Sequence, residues 1–310
     1  DQILRAMRAG ANEYLAWPLG DPGTVLGEAF QTALKRTIER NRPAKDSNRS
    51  SVTLSFFGAK GGAGTTTLAV NTAIDIARLS KRRTLIIDLH QFTGEVALFL
   101  GVRPRFTVID ALDNLHRLDQ EFLRELVVRH KSGLDILAGG DQIDRPGIHD
   151  APAIEQLLQM LGRSYDFIVV DAGTVTGAVA DVAVFAADTL FLVANPDIAS
   201  VRNAHRIVDR FEQLGAGRDR LKILLNRMSD QHQIGPKQIE TTLGHSLHMM
   251  FPSDYGVVSA AMNSGVPLTL TNNSDLAARF EQFTRQIINP HGDVAPDAST
   301  RERAPFLGLF

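Results

Sequence analysis

Apolar residues along this chain fall into short β-rich runs separated by longer stretches in which they recur at helical spacing. Residues 52–57, 84–88, 134–137, 167–171, 190–194, 221–226 and 247–251 are such runs, and most of the intervals between them carry helical periodicity. The first interval predicts a helix over 66–79, with Leu68, Ala69, Ala73, Ile76 and Ala77 on one side. Short strands apolar on both faces, alternating with helices, predict a doubly wound, mainly parallel α/β sheet covered by helices on both sides. Asp88, Asp171, Asn195 and Asn226 stand at the ends of four of these runs. In sheets of this kind ligands sit beyond the carboxyl ends of the strands, so those polar endings point to a single site.

The ends of the chain read differently. Ile3, Leu4, Met7 and Ala11 recur at helical spacing, residues 13–18 read as a short strand running into Pro18, and helical periodicity resumes over 22–40. Helix, strand and helix in so few residues do not close a core of their own, so 1–42 reads as the end of a larger α/β domain. A polar, charged segment without apolar periodicity follows, and 43–51 is read as a linker. The main domain is expected over 52–288 and a flexible tail over 289–310.

Composition narrows the functional classes. The chain has 310 residues, 44% of them hydrophobic, ample for a buried core. Thirty-three Lys and Arg against 35 Asp and Glu leave a net charge of −2, so no global field attracts nucleic acid or anionic lipid. With no cysteine there is no disulfide, thiol nucleophile, cysteine zinc site or iron–sulfur cluster. Residues 179–194, the most apolar stretch, are interrupted by Asp181 and Asp188, too short for a bilayer-spanning helix. No secretory signal pattern is visible, and a soluble, cytoplasmic protein is expected. His232, His245 and His248 lack metal-ligand spacing.

The most informative segment lies between the first strand and its helix: Gly58-Ala59-Lys60-Gly61-Gly62-Ala63-Gly64-Thr65-Thr66-Thr67. Glycines let successive backbone N–H groups turn toward an anion, and the positive end of the helix adds to them, which makes a phosphate cradle. A hydroxyl at Thr66 suits Mg²⁺, and one at Thr67 a phosphate oxygen. The usual pattern G-x-x-x-x-G-K-[ST] requires lysine where this chain has Thr65; its lysine, Lys60, stands near the start of the loop instead.

Lys-Gly-Gly-x-Gly-x-Thr-Thr resembles the deviant Walker A motif of the MinD/ParA family of P-loop ATPases. The likeness continues in order through 84–90, similar to that family's second-strand Asp-x-Asp segment, 165–171, similar to its Walker B strand, Leu224-Leu225-Asn226-Arg227, and Phe251-Pro252-Ser253-Asp254. The resemblance implies a cofactor pair of ATP and Mg²⁺ and a homodimer formed around it. On it, Lys60 would reach the partner subunit's phosphates, Gly61, Gly62, Ala63, Gly64, Thr65, Thr66 and Thr67 would line the triphosphate, and Thr66, Asp88 and Asp171 would serve the ion. Asn226 would bond the adenine, with Pro252 and Asp254 beside it. Asp88 and His90 would be the catalytic pair, His90 replacing the carboxylate that positions the attacking water. With the loop lysine absent and that carboxylate replaced, hydrolysis is expected to be weak or nil.

Within that family, the absence of cysteine argues against the iron-protein branch, and three tyrosines, none clustered at the C-terminus, argue against the tyrosine kinases. Met7 to Leu19 resembles the closing segment of a response-regulator receiver domain, with Trp17 at the position of its lysine. A degenerate receiver fused to such an ATPase looks like the CpaE/TadZ type of pilus assembly protein. That likeness implies partners in the Tad pilus secretion machinery and a place at a cell pole or the inner-membrane surface. Two other classes stand beside it: a partition ATPase gripping DNA non-specifically, against which the near-neutral charge argues, and a nucleotide-free scaffold, against which Thr66, Thr67, Asp88, Asp171 and Asn226 argue. Arg301, Arg303 and the apolar Phe306 to Phe310 form a tail in which Pro305 and Gly308 break helical periodicity; membrane contact and docking on a partner are alternatives to disorder there.

Overall fold

Val52–Gly58, the first strand (β1), is buried along all but its first two residues, and it pairs on both sides with parallel neighbours. The computed structural model describes residues 51–90, 94–140, 151–174, 176–229, 233–271 and 274–290. The receiver-like segment 1–42, nearly all of the linker and the tail from 291 onward, with Trp17 and the basic-apolar terminus, lie outside the described residues, as does His232.

The remaining strands are Thr84–Asp88 (β2), Val128–Arg129 (β3), Asp135–Leu137 (β4), Phe167–Gly173 (β5), Thr189–Ala194 (β6), Leu221–Met228 (β7) and Leu247–Pro252 (β8). They form one sheet in the order β3-β4-β2-β5-β1-β6-β7-β8. Every pairing is parallel except that of β3 with β4. The seven runs predicted from periodicity are thus seven of the eight strands. The eighth, β3, is a two-residue antiparallel edge, too short to register as a pattern. Several strands run past their predicted ends: β5 continues to Gly173 and β7 to Met228, so Asn226 lies within its strand rather than at the end.

Side chains of β1 divide between two cores, as the alternation of a strand requires. Leu54 and Phe56 enter one, packed beneath Thr65–Ser80 (α1) and Asp275–Ile288 (α11). Its centre is a stack of rings, with Phe191 4.8 Å from Phe56 and 5.1 Å from Phe283, and Phe251 5.0 Å from Phe280. Phe57 enters the other, under Ala151–Ser164 (α5), Ala178–Ala186 (α6) and Ile198–Gln213 (α7), where it meets Phe211 edge-on at 4.9 Å. Smaller elements close the edges: Val96–Phe99 (α2), Val108–Asp113 (α3), Gln120–Leu126 (α4), Pro236–Leu243 (α8), Tyr255–Ser264 (α9) and Leu268–Thr271 (α10). No helix among the described residues is long and apolar enough to cross a membrane.

α1 departs from its expected one-sided pattern. Its residues from Thr65 to Ala77, Thr67 apart, are all buried, Asn71, Thr72 and Asp75 included, because it is wedged between the sheet, α10 and α11. Asp75 is fully buried. Its Oδ1 accepts from Nε and Nη2 of Arg78 at 3.3 and 3.2 Å, and Arg78 also reaches Glu281 of α11. Its Oδ2 has no hydrogen-bond partner among the described residues. Burial outweighs the Arg78 guanidinium and raises the carboxyl to about 6. A carboxyl raised on folding stabilises the native state while protonated, and that contribution disappears as pH climbs through the folded value. Asp75→Asn should therefore melt progressively higher relative to the parent as pH rises from about 4 to about 7, by a few °C; thermal melts across that range check it.

Candidate functional site

β1 delivers the chain to a loop that wraps back on the strand. Ala59 donates to the Val193 carbonyl at 2.9 Å, which ties the loop's first residue to β6, and Ala63 donates to the Lys60 carbonyl at 3.2 Å. Gly62 and Gly64 have φ of +72° and +95°, a region that strains residues carrying a Cβ. Gly64 is the N-cap of α1 and supplies no side-chain cap, so the N–H groups of Thr65, Thr66 and Thr67, which a helix cannot satisfy internally, face the loop. Aligned peptide dipoles put positive charge at the same place. Thr65 is buried, its hydroxyl 2.5 Å from where a Cβ on Gly58 would sit, so a larger residue at position 58 would force that hydroxyl to shift.

The sheet register sets the acidic side of the site. Asp88 ends β2 directly opposite Asp171 of β5, and Asp171 is in turn opposite Phe56 of β1, just before the loop. Both carboxylates are fully buried. Asp88 Oδ1 accepts from the His90 backbone N–H at 2.9 Å and lies 2.7 Å from His90 Nδ1, while its Oδ2 accepts from Val96 N–H at 3.2 Å. Asp171 Oδ1 accepts from Gly173 N–H at 3.1 Å, and its Oδ2 has no hydrogen-bond partner among the described residues. Burial and the facing Asp88 push the Asp171 carboxyl upward, against the opposing pull of His90 and the Thr66 hydroxyl. The hydrogen bond to Asp88 raises His90 to about 9, with Asp171 adding to the effect and burial opposing it. The imidazole is therefore a cation at neutral pH, seated beside two carboxylates.

Glycines make room for that cluster. Gly173, at φ +49°, carries the His90 ring against its Cα, where a Cβ would collide with the imidazole. A Cβ on Gly139 would press on the His90 carbonyl and the Asp88 carboxyl, and Gly94 backs onto Gly139. Gly140 N–H bonds the His90 carbonyl, and Gly94 N–H bonds the Gly140 carbonyl, both at 2.8 Å. None of these four glycines was a sequence candidate; for Gly173 the one available signal was a glycine two residues after the strand's aspartate.

The remaining candidates fall around the loop in different ways. Lys60 Nζ is 2.9 Å from Asp197, the N-cap of α7, whose Oδ1 accepts from Ser200 N–H. The sequence pattern marked Asn195 as a strand ending but gave no sign of this ion pair. Asn226 Nδ2 donates to the Ala63 carbonyl at 2.8 Å and lies over Gly64, which places it on the loop itself. Pro252 ends β8 opposite Met228. Asp254 caps α9, accepting from Val257 N–H at 3.0 Å. Lys60, the loop, Thr66, Asp88, His90, Asp171 and Asn226 thus share one end of the sheet. In α7, Arg202, His205 and Arg206 are exposed, Val201 and Ala204 buried and Ile207 partly buried, the pattern of a helix with one solvated face.

A family model described as an AAA domain matches residues 51–223, more than half of the chain. The chain belongs to that family. Its relatives place it in the MinD/ParA group of P-loop ATPases. A putative septum site-determining protein MinD of Oltmannsiellopsis viridis is 29% identical over 269 residues, covering 83% of this chain and 80% of that protein. Among solved structures, a ParA family ATPase from Chlorobium tepidum TLS superposes with a TM-score of 0.69 at 22% identity, over 76% of this chain and 99% of its own. The septum site-determining protein MinD of Pyrococcus horikoshii, solved with Mg-ADP, gives 0.67 at 21% identity, over 78% and 98%. In this MinD/ParA-type fold the glycine loop occupies the switch point of the sheet, where β1 is flanked by β5 and β6.

If His90 is seated on Gly173 as described, Gly173→Ala should destabilise the protein by on the order of 2 kcal/mol or more, through both the clash and the positive φ. His90→Ala in the same background should recover part of that loss. Denaturant melts of the two single variants and the double variant measure the coupling.

Proposed function

We propose that this chain is an ATP-binding localisation factor of the MinD/ParA type that dimerises around ATP and Mg²⁺ and hydrolyses slowly. The observation that carries the reading is the uncapped N-terminus of α1 behind a loop with two positive-φ glycines, facing two buried carboxylates across the mouth of the sheet. Backbone N–H groups from the loop and from Thr65 to Thr67 would hold the phosphates. The residues also fit a divalent ion: Asp171 Oδ2 is a buried carboxylate oxygen with no hydrogen-bond partner among the described residues, and the Thr66 hydroxyl lies beside that carboxyl. Thr66, Asp88 and Asp171 would hold Mg²⁺, which when bound neutralises charge on the phosphates.

Thr65 supplies no cation beside those oxygens, and His90 supplies an imidazolium where a carboxylate would orient water. Both favour holding nucleotide over cleaving it. Asn226, over the loop, is positioned to bond the nucleotide once its amide is released from Ala63. Lys60 would act across a dimer, and to do so it must leave Asp197. On this reading the apo chain holds its bridging lysine in an internal ion pair that association replaces.

The finer assignment, a CpaE/TadZ-type factor that places Tad pilus machinery at a cell pole or the inner-membrane surface, rests on the receiver-like segment together with the missing loop lysine. Homodimerisation and recruitment of pilus proteins follow from the same likeness. Association is read by sedimentation with ATP and Mg²⁺. Lys60→Ala should bind ATP within a few-fold of the parent but no longer associate, and Asp197→Ala should associate at lower protein concentration. Thr65→Lys should raise turnover at saturating ATP by on the order of ten-fold or more. Turnover in the parent already equal to that of the lysine variant would refute slow hydrolysis, and a low-salt gel shift with DNA would mark a partition ATPase instead.

A further inference from the structure

Among the described residues two that are not glycine hold a positive φ, Lys81 and Arg227, both at +58°. Lys81 is the C-cap of α1, a place where helices commonly end in the left-handed region. Arg227 lies inside β7, where an L residue should be extended. Strain of this kind persists only where the surrounding structure imposes it, and it clusters at functional sites.

The register of β7 against β8 shows what imposes it. Leu225 is opposite Met250 and the next pair is Met228 with Pro252, so three steps along β7 match two along β8 and one residue of β7 is extra. Packing records the same insertion. Ile223 and Leu225 enter the core under α5, α6 and α7, and strict alternation would send Arg227 there, yet Met228 packs against that core and Arg227 is exposed. Beyond the insertion the strand is pinned again by Ser253, whose N–H donates to the Met228 carbonyl at 2.8 Å. A bulge of this sort bends its strand and re-aims the side chains beside it. The residue beside it is Asn226, whose Nδ2 donates to the Ala63 carbonyl and crowds the place a Cβ on Gly64 would take.

We propose that Arg227 is a positioning residue whose left-handed backbone turns the Asn226 carboxamide off the sheet and onto the glycine loop, and so sets the preference for adenine over guanine in a bound nucleotide. The effect on the base rests on the nucleotide reading above; the effect on Asn226 concerns the free protein. A carboxamide offers a donor and an acceptor side by side, which adenine matches with a ring nitrogen and its amino group, whereas guanine carries a carbonyl in place of that amine. The backbone of residue 227, not its side chain, carries the effect. Glycine and asparagine, which enter the left-handed region readily, should therefore replace Arg227, and valine, which does not, should fail.

The test compares the full chain with Arg227→Gly, Arg227→Asn and Arg227→Val. Without nucleotide, exchange of the Asn226 side-chain amide with water is followed by NMR, the signal being assigned by its disappearance in Asn226→Asp. It should stay within about two-fold of the parent in the glycine and asparagine variants and run about ten-fold faster in the valine variant. With Mg²⁺ present, equilibrium binding of ATP and of GTP should show the parent's preference kept by glycine and asparagine and reduced about ten-fold by valine. A folded valine variant with unaltered exchange and unaltered preference overturns the proposal. So does a glycine variant that loses both, because the effect would then belong to the side chain, and this arm decides the matter even where valine does not fold. A parent that binds neither nucleotide, while amide exchange follows the expected order, sinks the nucleotide reading and leaves the positioning of Asn226 standing.

Discussion

Two carboxylates buried side by side must be given a counter-charge, and the mouth of this sheet is organised around that requirement. Asp88 and Asp171 are brought opposite each other by the parallel register of β2 and β5, both fully buried. Like charges this close in a low-dielectric setting repel strongly, and the fold answers with one imidazolium and a set of backbone N–H groups. The answer is incomplete: one Asp171 oxygen is unbonded among the described residues. An incompletely satisfied acidic pair beside an uncapped helix N-terminus has room for a cation on one side and an anion on the other. Nucleotide with a divalent ion supplies both.

The same geometry explains why this member of its family is unusual in charge rather than in shape. Thr65 stands where the common loop has lysine, and His90 stands beside the buried carboxylates, so on the proposed reading one cation is lost from the phosphate side and one gained beside the acidic pair. Lys60 is paired with Asp197 at the start of α7. An arrangement of this kind suits a protein whose states differ by what it holds and whom it meets, with chemistry a slow event that ends a state.

Much of this was legible in the chain. Seven strands, the helix after the first of them, the glycine loop and the aspartates at the strand ends all follow from local pattern, because two-sided burial and phosphate-type turns each leave a compact signature. What was missed was non-local. β3 exists only as a partner for β4, and α1 is buried all round only because α11 lies on its outer face. Gly139 and Gly173 matter through the groups laid against them, which no spacing in the sequence records.

By itself, then, the sequence determined the alternation of strands and helices, the position of the phosphate-type loop, the substitution of Thr65 for lysine and the set of charged groups available, since these depend on residue type and near neighbours. Only the tertiary structure decided that His90 lies on Gly173 between two carboxylates, that Lys60 is held by Asp197, and that Asn226 bonds the loop. Those contacts join elements far apart in the chain. Their energies come from burial and register that exist only once the sheet has closed.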